Sequence, residues 1–457
     1  MIAFGSATLA ASLLVALFAA AAAVYGALER DRRWVDASRR AVYSLAALLT
    51  VAVVVLESAF LRDDFSFEVV ADHSSTTTPT FYKLTAMWSS QEGSLLLWAW
   101  VLSLAASAVL YLTRNRHREI VPWATAVLMG VGAFFVGLMI FAAPPFSELK
   151  PAPAQGAGLT PLLRNPYMVI HPPMLYTGYV LLSIPFAFMI GALITRRLDA
   201  SWITVTRRFA LTAWLFLGLG LLLGSRWSYE ELGWGGYWGW DPVENAALMP
   251  WLLTTAFIHS VIVQERRGML KVWNVSLIAG AFVLALLGTF LVRSGILQSI
   301  HAFGASTVGG PMLGLISVVA IGSAALIVSR AKELKPERRI ESALSREAIF
   351  LVNNLLLVGL VVVVFWGTFF PLIAEFFTGT RSSLGGPWFD RYVTPLGVAL
   401  VLFTGIGPLL AWGRLSADVA RRLLLWPLLA AAAAAVLLGV FSDAADSPWA
   451  LLLFSFA

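Results

Sequence analysis

Four tryptophans, two tyrosines and four glycines share the stretch Arg226–Glu244, RWSYEELGWGGYWGWDPVE. Glycines beside aromatic rings let the backbone approach a flat object closely while the rings lie along it. A large planar apolar ligand such as a porphyrin suits that pattern, with Trp227, Trp234, Tyr237, Trp238, Trp240 and Asp241 as the platform. The alternative is an aromatic belt at a membrane interface. A belt accounts for one or two tryptophans per helix end, not for four in one connection. Asp241-Pro242-Val243-Glu244 also reads as a helix start, with Asp at the N-cap, Pro at the first helical position and Glu three residues after the cap. In that role Asp241 and Glu244 fix where the Trp-rich loop meets the next helix.

The chain has five histidines. His73 and His117 fall in polar connections and read as solvated loop residues. His171 follows Asn165-Pro166-Tyr167-Met168-Val169-Ile170 and precedes Pro172-Pro173, and the two prolines restrict its backbone against the start of a helix. His301 closes the run Arg293-Ser294-Gly295-Ile296-Leu297-Gln298-Ser299-Ile300. Each alone is an ordinary loop histidine. Together, beside the Trp platform, they have the chemistry of two axial imidazoles on a heme iron. His259 differs because it lies inside an apolar run, 18 residues past Asp241, or roughly 27 Å along a helix at 1.5 Å per residue. An ionisable residue at such a position is functional by default, and a water-bound histidine near the interface is the alternative.

The elements that carry these residues follow from composition. The 457 residues are 59% hydrophobic and 13% charged, with a mean hydropathy of +0.80. Soluble domains are nearer 45–50% apolar and about 25% charged, so a soluble globular fold is excluded. The pattern predicts an all-α, polytopic membrane bundle. Twelve apolar stretches of spanning length are expected near residues 2–28, 41–61, 94–112, 121–143, 173–195, 209–224, 242–263, 272–292, 312–329, 348–374, 394–412 and 423–441. Residues 449–457 make only about 14 Å of helix, so a truncated thirteenth span is expected there. The first stretch is too long for a signal-peptide core and no basic stretch precedes it, so it reads as a membrane helix. Zero cysteines exclude disulfides, thiolate metal sites and a cysteine nucleophile.

Lysines and arginines divide unevenly between alternate connections, 24 on one side and 8 on the other. By the positive-inside rule the richer side is cytoplasmic, which puts the N-terminus and the Trp-rich loop (about 225–243) outside. The net charge of +6 therefore reads as topology, and no nucleic acid partner is expected. Besides lipid, the ligands must come to the outer face.

The segment Trp234-Gly235-Gly236-Tyr237-Trp238-Gly239-Trp240-Asp241-Pro242-Val243-Glu244 resembles the WWD motif of heme-handling proteins in cytochrome c maturation. Ser90-Gln91-Glu92-Gly93-Ser94-Leu95-Leu96-Leu97-Trp98, Asn165 through Pro173, Arg293-Ser294-Gly295 with Ser299-Ile300-His301-Ala302-Phe303, and Gly405-Ile406-Gly407-Pro408 narrow the resemblance to the CcmF family of heme lyases. These segments stand in the family's order over essentially the whole chain. The resemblance implies a single heme-handling transmembrane domain over residues 1–457, with the family's C-terminal part beyond them. It implies a multi-pass protein of the bacterial inner membrane with its active loops in the periplasm. His171 and His301 would ligate transient substrate heme brought by the chaperone CcmE. The heme would then be attached to the Cys-x-x-Cys-His motif of apocytochrome c, delivered by thiol-reducing and presenting partners of the CcmH kind. His259 would hold one side of a b-type heme in the membrane, with the second ligand in a later helix. Gln91 stands where relatives often carry histidine.

Two rivals remain at this level. A heme carrier or exporter that makes no bond would show the same aromatic loop and paired histidines. A secondary transporter would show ionisable residues at midplane and a repeated pattern in its halves, and the sequence has no visible repeat.

Overall fold

The structure, a computed structural model, describes residues 1–233, 235–299, 307–336, 340–413 and 417–456. Its described residues form sixteen α-helices and no strand beyond the isolated bridge between Phe67 and Glu148. They are α1 (Ile2–Leu28), α2 (Arg32–Leu61), α3 (Glu68–His73), α4 (Thr80–Ala86), α5 (Gln91–Leu112), α6 (Ile120–Phe141), α7 (Pro166–Leu181) and α8 (Ser183–Thr195). The chain continues with α9 (Ser201–Glu231), α10 (Pro242–Arg267), α11 (Lys271–Ser294), α12 (Gly309–Ser329), α13 (Arg346–Thr378), α14 (Gly386–Ile406), α15 (Ala417–Phe441) and α16 (Pro448–Phe456). Twelve segments are long and apolar enough to cross a membrane, with α7 and α8 forming one of them. The protein is an all-helical, multi-pass membrane protein, as the composition predicts.

Local chemistry sets several boundaries. The side chains of Asp31, Ser90, Asn165 and Ser345 accept hydrogen bonds from the first turns of α2, α5, α7 and α13. Each satisfies a backbone N–H that the helix itself cannot reach. Several helices depart from the hydropathy reading, α2 starting at Arg32 and not 41, α14 at Gly386 and not 394, and two of the departures bear on the site. α7 begins at Pro166, not near Pro173, so His171 lies on its second turn and Pro172 and Pro173 are interior. α9 runs to Glu231, not to Gly224, so Trp227 and Tyr229 stand on a helix and the Trp-rich loop is only residues 232–241. The Arg226–Glu230 ion pair at i, i+4, 2.8 Å, supports that extra polar turn.

The chain forms two compact units, one of residues 1–250 and 278–333 and one of residues 251–277 and 334–457. In the first, α1 packs along α2 and α6, and α7 packs along α9. The α7–α9 approach depends on absent side chains. A Cβ on Gly178 would meet Leu217 at 2.5 Å, and one on Gly220 would meet Leu175 at 2.6 Å. Small residues let membrane helices close to backbone distance. In the second unit, α13 packs with α14, and α16 with α14 and α15. A buried ion pair there, Arg267 Nε to Glu347 at 2.8 Å, ties the end of α10 to the start of α13.

Candidate heme-handling site

His171 projects from α7 against the glycine face of α9. Its Nδ1 lies 2.7 Å from the carbonyl oxygen of Gly220. A carbonyl only accepts, so Nδ1 carries the proton and the lone pair of the neutral ring belongs to Nε2. This is the arrangement by which metal-ligating histidines are held in one tautomer. Gly224, one turn further along α9, leaves the space the ring fills. A Cβ there would sit 2.5 Å from Cε1 and 2.8 Å from Nδ1 of His171. Gly220-x-x-x-Gly224 thus supplies both the acceptor and the clearance for one imidazole.

A narrow cavity joins this histidine to the loop. Its walls include His171, Leu175, Gly224, Trp238, Val243 and Glu244. The indole Nε1 of Trp238 is buried and finds no hydrogen-bond partner among the described residues. Trp238 and Trp240 meet edge to face at 5.9 Å and 85°. Tyr237 is exposed and stacks on the equally exposed Tyr229 at 4.4 Å and 9°. Trp227 behaves differently. It is 3% exposed and donates its indole N–H to the carbonyl of Leu162 at 2.9 Å, which turns its ring into packing between α9 and the segment before α7.

The start of α10 is capped as its sequence predicts. The Asp241 carboxylate accepts from the Val243 amide at 2.9 Å, and Glu244 reaches back to the amides of Asp241 and Gly239 at 3.1 and 3.0 Å. Trp240 just before it has φ +56°, a left-handed conformation that costs an ordinary side chain about 1 kcal/mol or more. That turn is held by its neighbours. Asn245 donates to the Trp240 carbonyl at 3.0 Å, and the hydroxyl of Ser299 donates to Asp241 at 2.7 Å. The strand of sequence leading to His301 is thereby tied to the base of the Trp-rich loop. His301 and Trp234 themselves lie outside the described residues.

A residue that sequence reading used only as a motif letter proves central to the packing. Arg293 is fully buried, and its Nη2 donates to Ser94 Oγ at 2.7 Å and Tyr176 Oη at 3.2 Å. Its Nη1 donates to the Thr289 carbonyl at 3.2 Å. One guanidinium therefore joins the 90–98 segment on α5, the helix that carries His171, and the end of α11. Gln91 is the first residue of α5. His73 closes α3 with Nδ1 3.0 Å from the Val69 carbonyl and lines a surface cavity together with Gln91 and Glu92.

His259 belongs to the second unit. Its ring lies 5.7 Å from Phe350, tilted by 38°, and Phe350 in turn lies 5.9 Å from Trp412. Its Nδ1 is buried without a hydrogen-bond partner among the described residues. A buried ring nitrogen left that way costs roughly 1–3 kcal/mol. No cluster of three or more metal-ligating side chains exists among the described residues.

Comparison with known proteins agrees with this arrangement. The family described as Cytochrome C assembly protein matches residues 88–298, which include α5, His171, the Trp-rich loop and Arg293. Cytochrome c-type biogenesis protein CcmF of Pseudomonas aeruginosa is 42% identical over 453 residues, covering 98% of this chain and 68% of its own length. The CcmF of Escherichia coli is 41% identical over 412 residues, covering 90% of this chain and 64% of its own. A solved structure of Cytochrome c Heme Lyase CcmF superposes with a TM-score of 0.82 at 34% identity, over 100% of this chain and 69% of that one. The chain spans about two thirds of the length of the relatives it matches. Identity of this level over that length, on a shared helical frame, places the chain in the CcmF family of cytochrome c-type biogenesis proteins.

Proposed function

We propose that this chain performs the heme lyase reaction: it takes heme from a chaperone of the CcmE kind and attaches it to apocytochrome c. The observation that carries this reading is His171, held by the Gly220 carbonyl so that Nε2 has the lone pair, in a cavity shared with Trp238. His301 would be the second axial ligand. Trp234, Tyr237, Trp238 and Trp240 would support the macrocycle, with Asp241 and Glu244 fixing the loop at α10. Trp227 would contribute by holding α9 in place. The whole of residues 1–457 would then act as one heme-handling domain.

The chemistry asks little covalent work of the protein. Each thiol of Cys-x-x-Cys-His adds across one vinyl group: an S–H and a C=C bond are exchanged for a C–S and a C–H bond, with no net oxidation. Two such additions at fixed positions need the macrocycle held still and its edges open, so positioning is the main catalytic contribution. The substrate's own cysteines serve, in keeping with the count of zero here. His259 would hold one face of a b-type heme, and its orphaned Nδ1 beside Phe350 suits a neutral imidazole ligand. Such a heme would supply electrons that keep the substrate iron reduced. The basic-residue split supports a bacterial inner-membrane protein with this site on the periplasmic side, where partners of the CcmH kind would present the apocytochrome.

The test is reconstitution of the purified protein with heme-loaded chaperone and reduced apocytochrome. Mass analysis should show the cytochrome carrying heme through two thioethers. Heme that is captured and released without a covalent product would make the protein a carrier instead.

A further inference from the structure

The first unit carries a second concentration of functional groups, at the opposite ends of the same helices from His171. Two cavities open there. One, of about 640 Å³, is walled by Arg114, Arg116, His117, Thr204, Arg208 and Phe209. The other, of about 610 Å³, is walled by Arg30, Arg32, Arg39, Arg118, Glu119 and Trp123, together with Arg114 and Arg116 again. The two share a pair of arginines as their common wall.

The carboxylates in these walls are already engaged. Asp31 caps α2 by accepting from the Arg33 amide at 2.8 Å. Asp36 pairs with Arg39 at 3.1 Å and Arg32 at 3.5 Å. Glu119 accepts from Arg197 at 2.6 and 2.9 Å, and that hydrogen-bonded guanidinium holds its carboxyl below the usual carboxylate range. Arg114, Arg116, Arg118 and Arg208 have no carboxylate within ion-pair distance among the described residues, and Arg30 shares the field of Glu119 with Arg197. Arg114 instead lies over the ring of Tyr111, 4.7 Å from its centroid. Tyr111 and Leu112, 58% and 59% exposed, continue from the cavity mouth along the apolar face of α5. Unneutralised guanidinium forks beside an exposed apolar wall match a phosphate joined to acyl chains. Basic pockets between membrane helices at a cytoplasmic surface are recognised sites of that chemistry.

We propose that the paired cavities bind one anionic phospholipid with two phosphates, of the diphosphatidylglycerol class, one phosphate on each side of Arg114 and Arg116. Positive-inside topology explains why arginines gather at this end, but not why four are left without an ion-paired acid around two adjoining hollows. The proposal is independent of the heme reading.

Native mass spectrometry of the purified protein tests it, with diphosphatidylglycerol, phosphatidylglycerol, phosphatidylcholine and inorganic phosphate as separate probes. Diphosphatidylglycerol should be retained most tightly, and R114Q/R116Q should weaken it by about 30-fold, the contribution of two arginines. R421Q/R422Q, which removes equal charge from α15, should retain binding, and R114K/R116K, which keeps the charge but not the planar fork, should weaken it less than R114Q/R116Q. Equal retention by R114Q/R116Q and the parent protein would overturn the proposal. So would an equal loss in R421Q/R422Q, which would mean diffuse attraction. Inorganic phosphate held as tightly as the lipid would assign the cavities to a soluble anion and overturn the lipid.

Discussion

His171 and His259 are held in opposite ways. The ring of His171 is oriented by the chain itself: a backbone carbonyl fixes its tautomer, and a glycine leaves a gap its own shape. The ring of His259 lies beside the ring of Phe350, and its Nδ1 is buried without a partner among the described residues. A histidine of the first kind is ready before its ligand arrives, which suits a substrate that must bind and leave repeatedly. One of the second kind is completed by what it binds, which suits a resident group.

The largest expected effect separates the two rings. His171→Ala should reduce covalent heme attachment by more than the ~10–100-fold typical of losing an outer-shell partner, while sparing any b-type spectrum of the purified protein. His259→Ala should remove that spectrum, and its effect on attachment should shrink when the substrate heme is supplied already reduced. Spectra and product yield of both variants, with and without the heme chaperone, measure this. Loss of the resident spectrum in the His171 variant alone would break the comparison.

A finer test leaves the histidine in place and disturbs only its support. In Gly224→Ala the added Cβ would fall 2.5 Å from Cε1 of the ring, so the imidazole must move. Attachment should drop by about 10–100-fold, as for other losses of second-layer support. Gly130→Ala is the control, because nothing lies within 4 Å of that position. Equal activity of the two variants would show that the fit of His171 against α9 has no part in the chemistry.

The same contrast explains what was legible beforehand. Twelve spans could be read because apolar runs of spanning length are a property of composition alone. The ends of α7 and α9 could not, because polar side chains stop the hydropathy signal before the helix stops. Arg226, Glu230 and Glu231 extend α9 through an ion pair and through hydrogen bonds from Asn165, all of them tertiary or i, i+4 effects. Pro172 and Pro173 looked like a helix start, yet a membrane helix tolerates interior prolines where neighbours satisfy the freed carbonyls. Gly220-x-x-x-Gly224 carried a readable signal for close helix packing, and nothing in one sequence said that a histidine would occupy the gap. Asp241 and Glu244 were readable as caps because capping is local. Arg293 was not readable as a hub, since Ser94 and Tyr176 come from distant parts of the chain.

The aromatic loop should respond less steeply than either histidine. Replacing both Trp238 and Trp240 with Ala removes their mutual edge contact and the rings expected against the macrocycle. At about 0.5–1.5 kcal/mol per aromatic pair, heme capture should weaken by about tenfold, read from equilibrium titration. The variant should insert normally, because the loop is not part of a span. Full heme affinity in it would return the tryptophans to the role of an interfacial belt.

The smallest effect belongs to Asp241→Ala, and it isolates local geometry from ligand contact. The substitution deletes the acceptor for the Val243 amide and for the Ser299 hydroxyl, while Glu244 still reaches the amides of residues 239 and 241. One lost cap costs about 1 kcal/mol, equivalent to about a fivefold shift in heme affinity if the loop must be re-formed on binding. Asp241→Asn keeps an oxygen acceptor and should restore most of that shift, which a direct charge interaction with heme would not allow. His259 lies 18 residues further along the chain than Asp241, so the resident spectrum should be unchanged in both variants. A loss of 100-fold or more in Asp241→Ala, unrelieved in Asp241→Asn, would make the carboxylate a ligand contact and remove the cap from the account.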